Sequence, residues 1–562
     1  MIDDYEVRKA VLANALSHGG KAAAGSVISA LIGGNKGLLG EAKELKLSVD
    51  RIVSEINSKP ADELERMADE YNVTAAKKEK KEIGGLRPLP GTENGVVVRF
   101  PPEPSGFMHL GHAIAALINY MYKEKYEGKM WLRFEDTNPN RVRQEFVDSF
   151  KNGLSWLGIK WDYEKFVTED MQRIYEYGEK MIESGKAYVC TCGKDETKKN
   201  RFEGTECKCR ARSTEENREL WDRAKTGAIG PEEAVVRMKF DMKSKDASLR
   251  DPTVFRIIKT EYKNYSLWPL YDFASAIEDD MCGVTHIIRS NEFRNSLLKE
   301  LRTAMGLREP VLVEFSRYNF EGTPFSKRTI RAMIEKGDIG GWDDIRLPTI
   351  SAIIRRGIKP QAFREFILRS GYSESKHEYT WDTLFTLNRR LIDPVSRRLF
   401  FVPEPVRLVV DNAPTKRVVI KNHPSEDLGG RKVDTGNVFF IPRKDLDNTA
   451  ANNVLRLKDL FDVRMDFIGN GEAHASFYGD EMKGGEKIVQ WVTDDNVKTK
   501  VEVVGNLLNK DETFNKDSLT VVEGLAESAV RSVEEGETVQ FERFGFCILD
   551  DKKEEKFVFV SK

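Results

Sequence analysis

The chain has 562 residues, 40% hydrophobic and 32% charged, and its 89 Lys and Arg against 91 Asp and Glu leave a net charge of −2. That length implies several domains, and the charge balance excludes a bulk polycation while leaving room for local basic strips that hold nucleic acid. Six cysteines exclude a disulfide scaffold, no apolar run reaches the roughly 18–20 residues of a membrane span, and the start Met1-Ile2-Asp3-Asp4-Tyr5 lacks a signal-peptide pattern, so a cytoplasmic protein is expected.

Residues 1–88 are predicted to form a helical extension and a linker. Val7, Val11, Leu12 and Leu16 fall at helical spacing, as do Leu64, Met67, Ala68 and Tyr71. Between them, stretches 18–22 and 33–37 set Lys21 and Lys36 beside glycines, where backbone can meet phosphate. A bundle without chemistry and an accessory RNA- or partner-binding module both fit. The charged run 77–82 and the turn-rich 84–91 close the linker.

An α/β domain is expected over 89–305. It opens on V-V-V-R-F, continues through P-P-E-P-S-G, and enters a helix-forming pattern near His109. Strand, loop and helix in that order put two imidazoles at a helix start, where N–H groups and the dipole suit phosphate. His109 and His112 share one face, and Gly111 leaves backbone bare for a flat base. A second strand over 130–134 runs into Glu135-Asp136, and polar residues at a strand's carboxyl end line the crevice of an open α/β sheet.

Within that domain, 187–260 reads as an insertion. Cys190-Thr191-Cys192 and Cys207-Lys208-Cys209 offer four thiolates in two close pairs, as tetrahedral zinc prefers, with a metal-free thiol cluster as the alternative. Lys198, Lys199, Arg201, Lys208, Arg210 and Arg212 surround them, which suits RNA phosphate. The chain is expected to return to the sheet near 249–256, with 268–275 and 283–289 following. From Glu292 to Pro394 helical patterns dominate. Over 396–562, short apolar runs starting at Arg407, Arg417, Asn437, Lys487, Thr538 and Phe557 alternate with turns, which predicts one or two β-barrels.

The stretch P-P-E-P-S-G-F-M-H-L-G-H resembles the HIGH signature of class I aminoacyl-tRNA synthetases, in the form of their glutamyl/glutaminyl branch. Pro324-Phe325-Ser326-Lys327-Arg328 resembles the KMSKS loop, with Pro324 replacing its first lysine. Residues 341–349 resemble the G-W-D-D-P-R block, with Ile345 where proline is usual. Stretch 18–22 is similar to one in the helical extension of archaeal-type glutamyl-tRNA synthetases. Stretches 423–431 and 455–460 resemble the anticodon-binding barrels of the archaeal/eukaryotic branch.

The resemblance implies a multidomain α/β fold: a Rossmann-like catalytic domain over 89–305, carrying an inserted acceptor-stem-binding domain over 187–260 with a zinc knuckle. The helical N-terminal extension precedes it. A KMSKS-like loop and helical linker domain over 306–395 and anticodon-binding β-barrels over 396–562 follow it. It also implies ATP-dependent attachment of L-glutamate to tRNA-Glu through a glutamyl-adenylate, with Mg2+ accompanying ATP. His109, His112 and Lys327 are then catalytic. Glu103, Pro104, Gly111, Ser326, Lys327 and Arg328 bind ATP, while Arg99, Glu135, Tyr271, Ser275 and Arg289 bind glutamate.

A γ-carboxylate calls for fork-shaped cations, and Arg99 and Arg289 match family arginines of that kind. Ser105, Glu135 and Arg289 stand where the glutaminyl branch carries asparagine, aspartate and a small non-basic residue. All three point to glutamate. The competing readings are a glutaminyl-tRNA synthetase, another HIGH-type nucleotidyltransferase, and a non-catalytic synthetase-derived tRNA-binding protein. Charging of tRNA-Gln stays open; DNA and membranes are not expected partners.

Overall fold

The computed structural model describes every residue except 1–2, 18–20, 35–39, 41, 72, 74–84, 293–295, 325, 371–376, 448, 470, 483 and 485. The chain divides into two compact units, Met1–Gly85 and Leu86–Lys562.

The first unit contains helices Asp4–Ser17, Ala24–Gly34, Ala42–Asn57 and Ala61–Glu70. Leu45, Val49, Ile52 and Ile56 recur at three- and four-residue spacing and are buried, so one stripe of their helix faces inward. It meets Val7, Val11, Leu12, Ala15, Leu64 and Ala68. Lys21 spends its ammonium on Asn57 O at 2.9 Å, and Asn57 Oδ1 accepts from Ala22 N at 2.6 Å. The lysine expected beside phosphate here secures the end of a helix. His18, Gly19, Gly20 and Lys36, and the charged run 77–82, lie outside the described residues.

In the second unit, Val97–Phe100, Lys129–Phe134 and Tyr163–Phe166 form a parallel sheet. His286–Ser290 pairs in parallel with Val311–Phe315. Thr285 N donates to Val97 O at 3.0 Å and Thr285 Oγ1 accepts from Val97 N at 2.8 Å, which seats that pair on the other flank of the first strand. Strand order therefore reverses between Val97–Phe100 and His286–Ser290, the place where open α/β sheets hold their ligands. Arg99 and Arg289 stand near the carboxyl ends of those two strands.

The strand Val311–Phe315 lies beyond residue 305, so the parallel sheet outruns its expected boundary. The stretch expected to return to that sheet near 249–256 does not do so. Thr253–Ile257 joins an antiparallel sheet with Ala187–Cys190, Val235–Met238 and Leu267–Pro269. Its apolar residues find two antiparallel neighbours there, and the inserted sheet continues to Pro269.

After Ser396 short strands and their connecting turns predominate, with one four-residue α-helix, Arg443–Leu446, among the described residues. A seven-stranded sheet has Arg397–Leu399 and Phe401–Pro403 as its two edges. Only Phe400 separates them in sequence, so the sheet curls back on itself. In the second, six-stranded sheet the edges are Val438–Pro442 and Lys487–Val489. Phe440 and Val492 exchange backbone hydrogen bonds of 2.8 and 3.0 Å, which draws those edges together in the same way.

Residues 330–392 and the C-terminal region share apolar cores. Ile345, Ile392, Phe546, Ile548, Val558 and Val560 form one cluster, and Leu507 joins Ile330, Met333, Ile339, Leu347 and Ala352 in another. Arg355 adds a fork onto Asp550 with two 2.8 Å bonds. Among the described residues, no helix is long and apolar enough to cross a membrane.

Candidate active site

The loop after Val97–Phe100 leads to helix Leu110–Lys125, whose N-cap is His109 with extended backbone (φ −126°, ψ 172°). Gly111 N donates to His109 Nδ1 at 3.1 Å, and His109 N donates to His112 Nδ1 at 3.4 Å. The two rings stack with centroids 3.7 Å apart at 25°. Burial, with the Lys327 and Arg317 charges, pushes His109 down to about 3. Burial and the neighbouring His109 and Lys327 push His112 well below its ordinary value. Both imidazoles are therefore neutral, and because Nδ1 accepts in each, the proton sits on Nε2.

Two sequence expectations change at this helix. Leu110 N is already spent on Pro348 O at 2.8 Å and Gly111 N on the His109 ring, so the backbone donors expected to meet phosphate are partly used. The space left bare at Gly111 is taken by a ring: a Cβ there would lie 3.1 Å from His109 Cε1.

Lys327 begins helix Lys327–Lys336, capped by Ser326 Oγ, which accepts from Thr329 N at 3.4 Å. Its side chain runs along Gly106, and Nζ donates to Ser105 Oγ at 3.0 Å. Burial lowers the ammonium below the usual lysine range.

Arg99 and Arg289 are 2% and 6% exposed. Arg99 Nε donates to Asp279 Oδ1 at 3.2 Å, and Arg289 Nε lies 3.8 Å from Glu314 Oε1. Glu135 Oε1 accepts from Arg133 Nε at 3.0 Å, while its buried Oε2 has no hydrogen-bond partner among the described residues. Burial pushes the Glu135 carboxyl up to about 7, with Arg133 pulling the other way. Burial also raises Tyr271.

All of these meet in one cavity of about 750 Å³. Arg99, Glu103, His109, Gly111, His112, Glu135, Tyr271, Arg289 and Lys327 line it. Pro104, Ser275, Ser326 and Arg328 are outside its lining. Pro104 is buried and its carbonyl accepts from Arg143 N at 3.4 Å. Ser275 stands behind the wall, accepting from Arg133 Nη2 at 3.1 Å. Ser326 is the helix cap, and Arg328, two residues on, is exposed. Asp136 is not in the lining either; it accepts from Tyr262 OH at 2.8 Å and Thr168 N at 3.0 Å. Phe325 lies outside the described residues.

The most consequential group that sequence reading missed is Asp279. It is 1% exposed and takes Arg99, Arg133 and Arg302, the last two at 2.9 Å each. Burial would raise it, but the three guanidiniums hold its carboxyl below the usual range. A usable signal existed: Arg99 and Arg133 interrupt apolar strands, and a charge inside such a run demands a buried partner. Asn138 and Arg256 were missed too. Glu103 Oε1 accepts from Asn138 Nδ2 at 3.0 Å, and Asn138 Oδ1 from Arg256 Nη2 at 3.3 Å, which links the loop before the histidines to the inserted sheet.

In that insertion the sulfurs of Cys190, Cys192, Cys207 and Cys209 all lie within 4.8 Å of one another. Thr191 N donates to Cys209 Sγ at 3.5 Å and Arg237 Nη1 to Cys190 Sγ at 3.9 Å. Donors of this kind suit thiolates.

Three family models match the chain. The model described as tRNA synthetases class I (E and Q), catalytic domain, covers residues 95–394. Two models described as tRNA synthetases class I (E and Q), anti-codon binding domain, cover 396–477 and 488–550. The chain is 40% identical over 549 residues to the glutamate--tRNA ligase of Cenarchaeum symbiosum, covering 96% of this chain and 97% of that one. It is 38% identical over 562 residues to that of Nitrosopumilus maritimus, covering 98% of each. A crystal structure of a glutamate tRNA ligase from Elizabethkingia meningosepticum in complex with its amino acid aligns over 54% of this chain and 70% of that one. At 19% identity and a TM-score of 0.41 it adds no weight.

Proposed function

This chain belongs to the class I glutamyl and glutaminyl tRNA synthetases, and from that premise we propose that it joins L-glutamate to tRNA-Glu in two ATP-driven steps. One observation carries the reading: a single cavity is lined at once by the histidine pair, Lys327, Arg99, Arg289 and Glu135. Anion-binding groups for a triphosphate and fork-shaped cations for a second carboxylate face the same space.

In the first step the α-carboxylate of glutamate attacks the α-phosphorus of ATP. An O–P bond forms, the bond to the β-phosphate oxygen breaks, and pyrophosphate leaves. Neutral imidazoles donating from Nε2 can follow the charge that builds on phosphate oxygens without repelling Lys327, whose ammonium meets the leaving pyrophosphate. Magnesium enters with the triphosphate. Arg99 and Arg289 grip the side-chain carboxylate, and Glu135 Oε2, which has no hydrogen-bond partner among the described residues, receives the α-ammonium. In the second step a terminal ribose hydroxyl of tRNA attacks the adenylate carbonyl and AMP leaves. The inserted sheet holds the acceptor end, and the C-terminal barrels take unstacked anticodon bases.

The decisive experiment charges purified tRNA-Glu and tRNA-Gln with labelled glutamate and glutamine across pH 5.5–8.5. Glutamate is expected on tRNA-Glu and glutamine on neither. Glu135 must be ionised to receive an ammonium, and its carboxyl is raised to about 7. The KM for glutamate should therefore be flat above that pH and rise by up to about tenfold per unit below it. Efficient charging with glutamine, or a KM indifferent to pH, would overturn the respective assignment.

The four cysteines fit a structural zinc ion, since tetrahedral thiolates at about 2.3 Å from a metal lie within such mutual reach. Zinc would cross-link the end of strand Ala187–Cys190 to the turn Lys208–Ala211. Elemental analysis should find one zinc per chain, and chelation should lower the thermal transition by a few degrees. Absence of zinc from a chain that melts unchanged would assign the cluster to free thiols.

A further inference from the structure

We propose that Ser105 is a positioning residue for Lys327: its hydroxyl holds the lysine over Gly106, at the wall of the cavity, before the triphosphate arrives. The proposal rests on the two-step reading above and adds to it a residue whose side chain lies off the cavity wall.

The argument begins with reach. Lys327 is the first residue of its helix, directly after the cap at Ser326. A lysine side chain free in water loses up to about 2 kcal/mol of rotamer entropy when fixed. Here it is already fixed. Nζ donates to Ser105 Oγ at 3.0 Å, and Ser105 is itself 9% exposed, held in a tight turn by its N–H on Glu103 O at 2.8 Å. An ammonium has three donors, so one can stay on Ser105 while the others meet phosphate oxygens.

Gly106 supplies a second, independent observation. A Cβ there would come within 3.0 Å of both Cδ and Cε of Lys327 and 3.3 Å of Nζ. The turn is thus cut to let the aliphatic stem lie flat against backbone. Its positive neighbours are Arg141 and Arg331, and Glu103 is the negative one, so charge alone does not fix where the ammonium points. The hydroxyl does. Sequence reading used Ser105 as a marker of amino-acid choice; its contact is with the lysine that meets ATP, and the cavity lining does not include it.

The test uses the full chain with tRNA present, measuring glutamate-dependent ATP–pyrophosphate exchange and charging. Ser105→Ala is expected to raise the KM for ATP several-fold and lower kcat about tenfold, with the KM for glutamate unchanged. Ser105→Thr, which keeps the hydroxyl, should restore most of the loss. Gly106→Ala should reproduce the ATP defect, because the clashing atoms belong to a flexible side chain that yields without unfolding the turn.

In a Lys327→Ala background, Ser105→Ala should add less than about twofold. A Ser105→Ala enzyme as fast as or faster than the parent, or one whose defect persists undiminished without Lys327, overturns the proposal. Normal charging by Lys327→Ala alone would instead remove the prior assignment of that lysine. The two failures are therefore distinct.

Discussion

Lys327→Ala is expected to lower kcat for glutamate charging by about 10²–10³ while leaving affinity for tRNA intact. The lysine lines the cavity beside His109 and His112, and both rings are uncharged. Among these three, the ammonium is the full positive charge that can travel with the leaving pyrophosphate. Removing one preorganised group that meets transition-state charge costs about 2.7–4 kcal/mol. Lys327 lies far in sequence from the barrels, and its bond is to Ser105 in the loop before the histidine helix, so RNA contacts elsewhere are untouched. Single-turnover charging and direct tRNA binding separate the two effects. Unchanged chemistry, or binding lost in parallel, would sink the assignment.

Asp279→Ala is expected to destabilise the catalytic half by about 3–5 kcal/mol, the usual cost of leaving buried charge unpaired. The aspartate serves Arg99, Arg133 and Arg302 together, and Arg133 in turn holds Glu135. Its removal therefore loosens both ends of the amino-acid site, and the KM for glutamate should rise in whatever protein still folds. Denaturant unfolding read by tryptophan fluorescence would register the loss as a lower midpoint. An unshifted midpoint would mean that the three guanidiniums find water or other partners.

The order of chemistry was legible from sequence because signature residues announce themselves by spacing. His109 and His112 at a helix start, and Arg99 closing a β-branched run, met in the cavity as a strand–loop–helix unit demands. Asp279 stayed hidden because its role depends on three arginines from distant segments, which a linear pattern does not bring together.

In the seven-stranded sheet, Asn496–Val504 and Leu519–Glu527 pair along their whole length, and sequence reading missed both. Lys498, Lys500 and Glu502 leave the first strand no long apolar run; charged residues alternating with the β-branched Val497, Thr499, Val501 and Val503 were the signal. The stretch near 249–256 was assigned to the wrong sheet because a short apolar strand carries no label for its partners.

The segment from Asp343 to Pro348 touches three bodies within six residues. Asp343 O accepts from Arg355 Nη1 at 2.7 Å. Ile345 is buried among Phe546, Ile548 and Val558. Pro348 O receives the first N–H of the histidine helix. A truncated chain ending at the helical linker would strand Ile345 in water and unseat the rod that steadies the imidazoles. The reading head of this molecule is therefore not a detachable accessory: grafting it onto another body, or shedding it, would exact its toll at the nucleotide end of the enzyme.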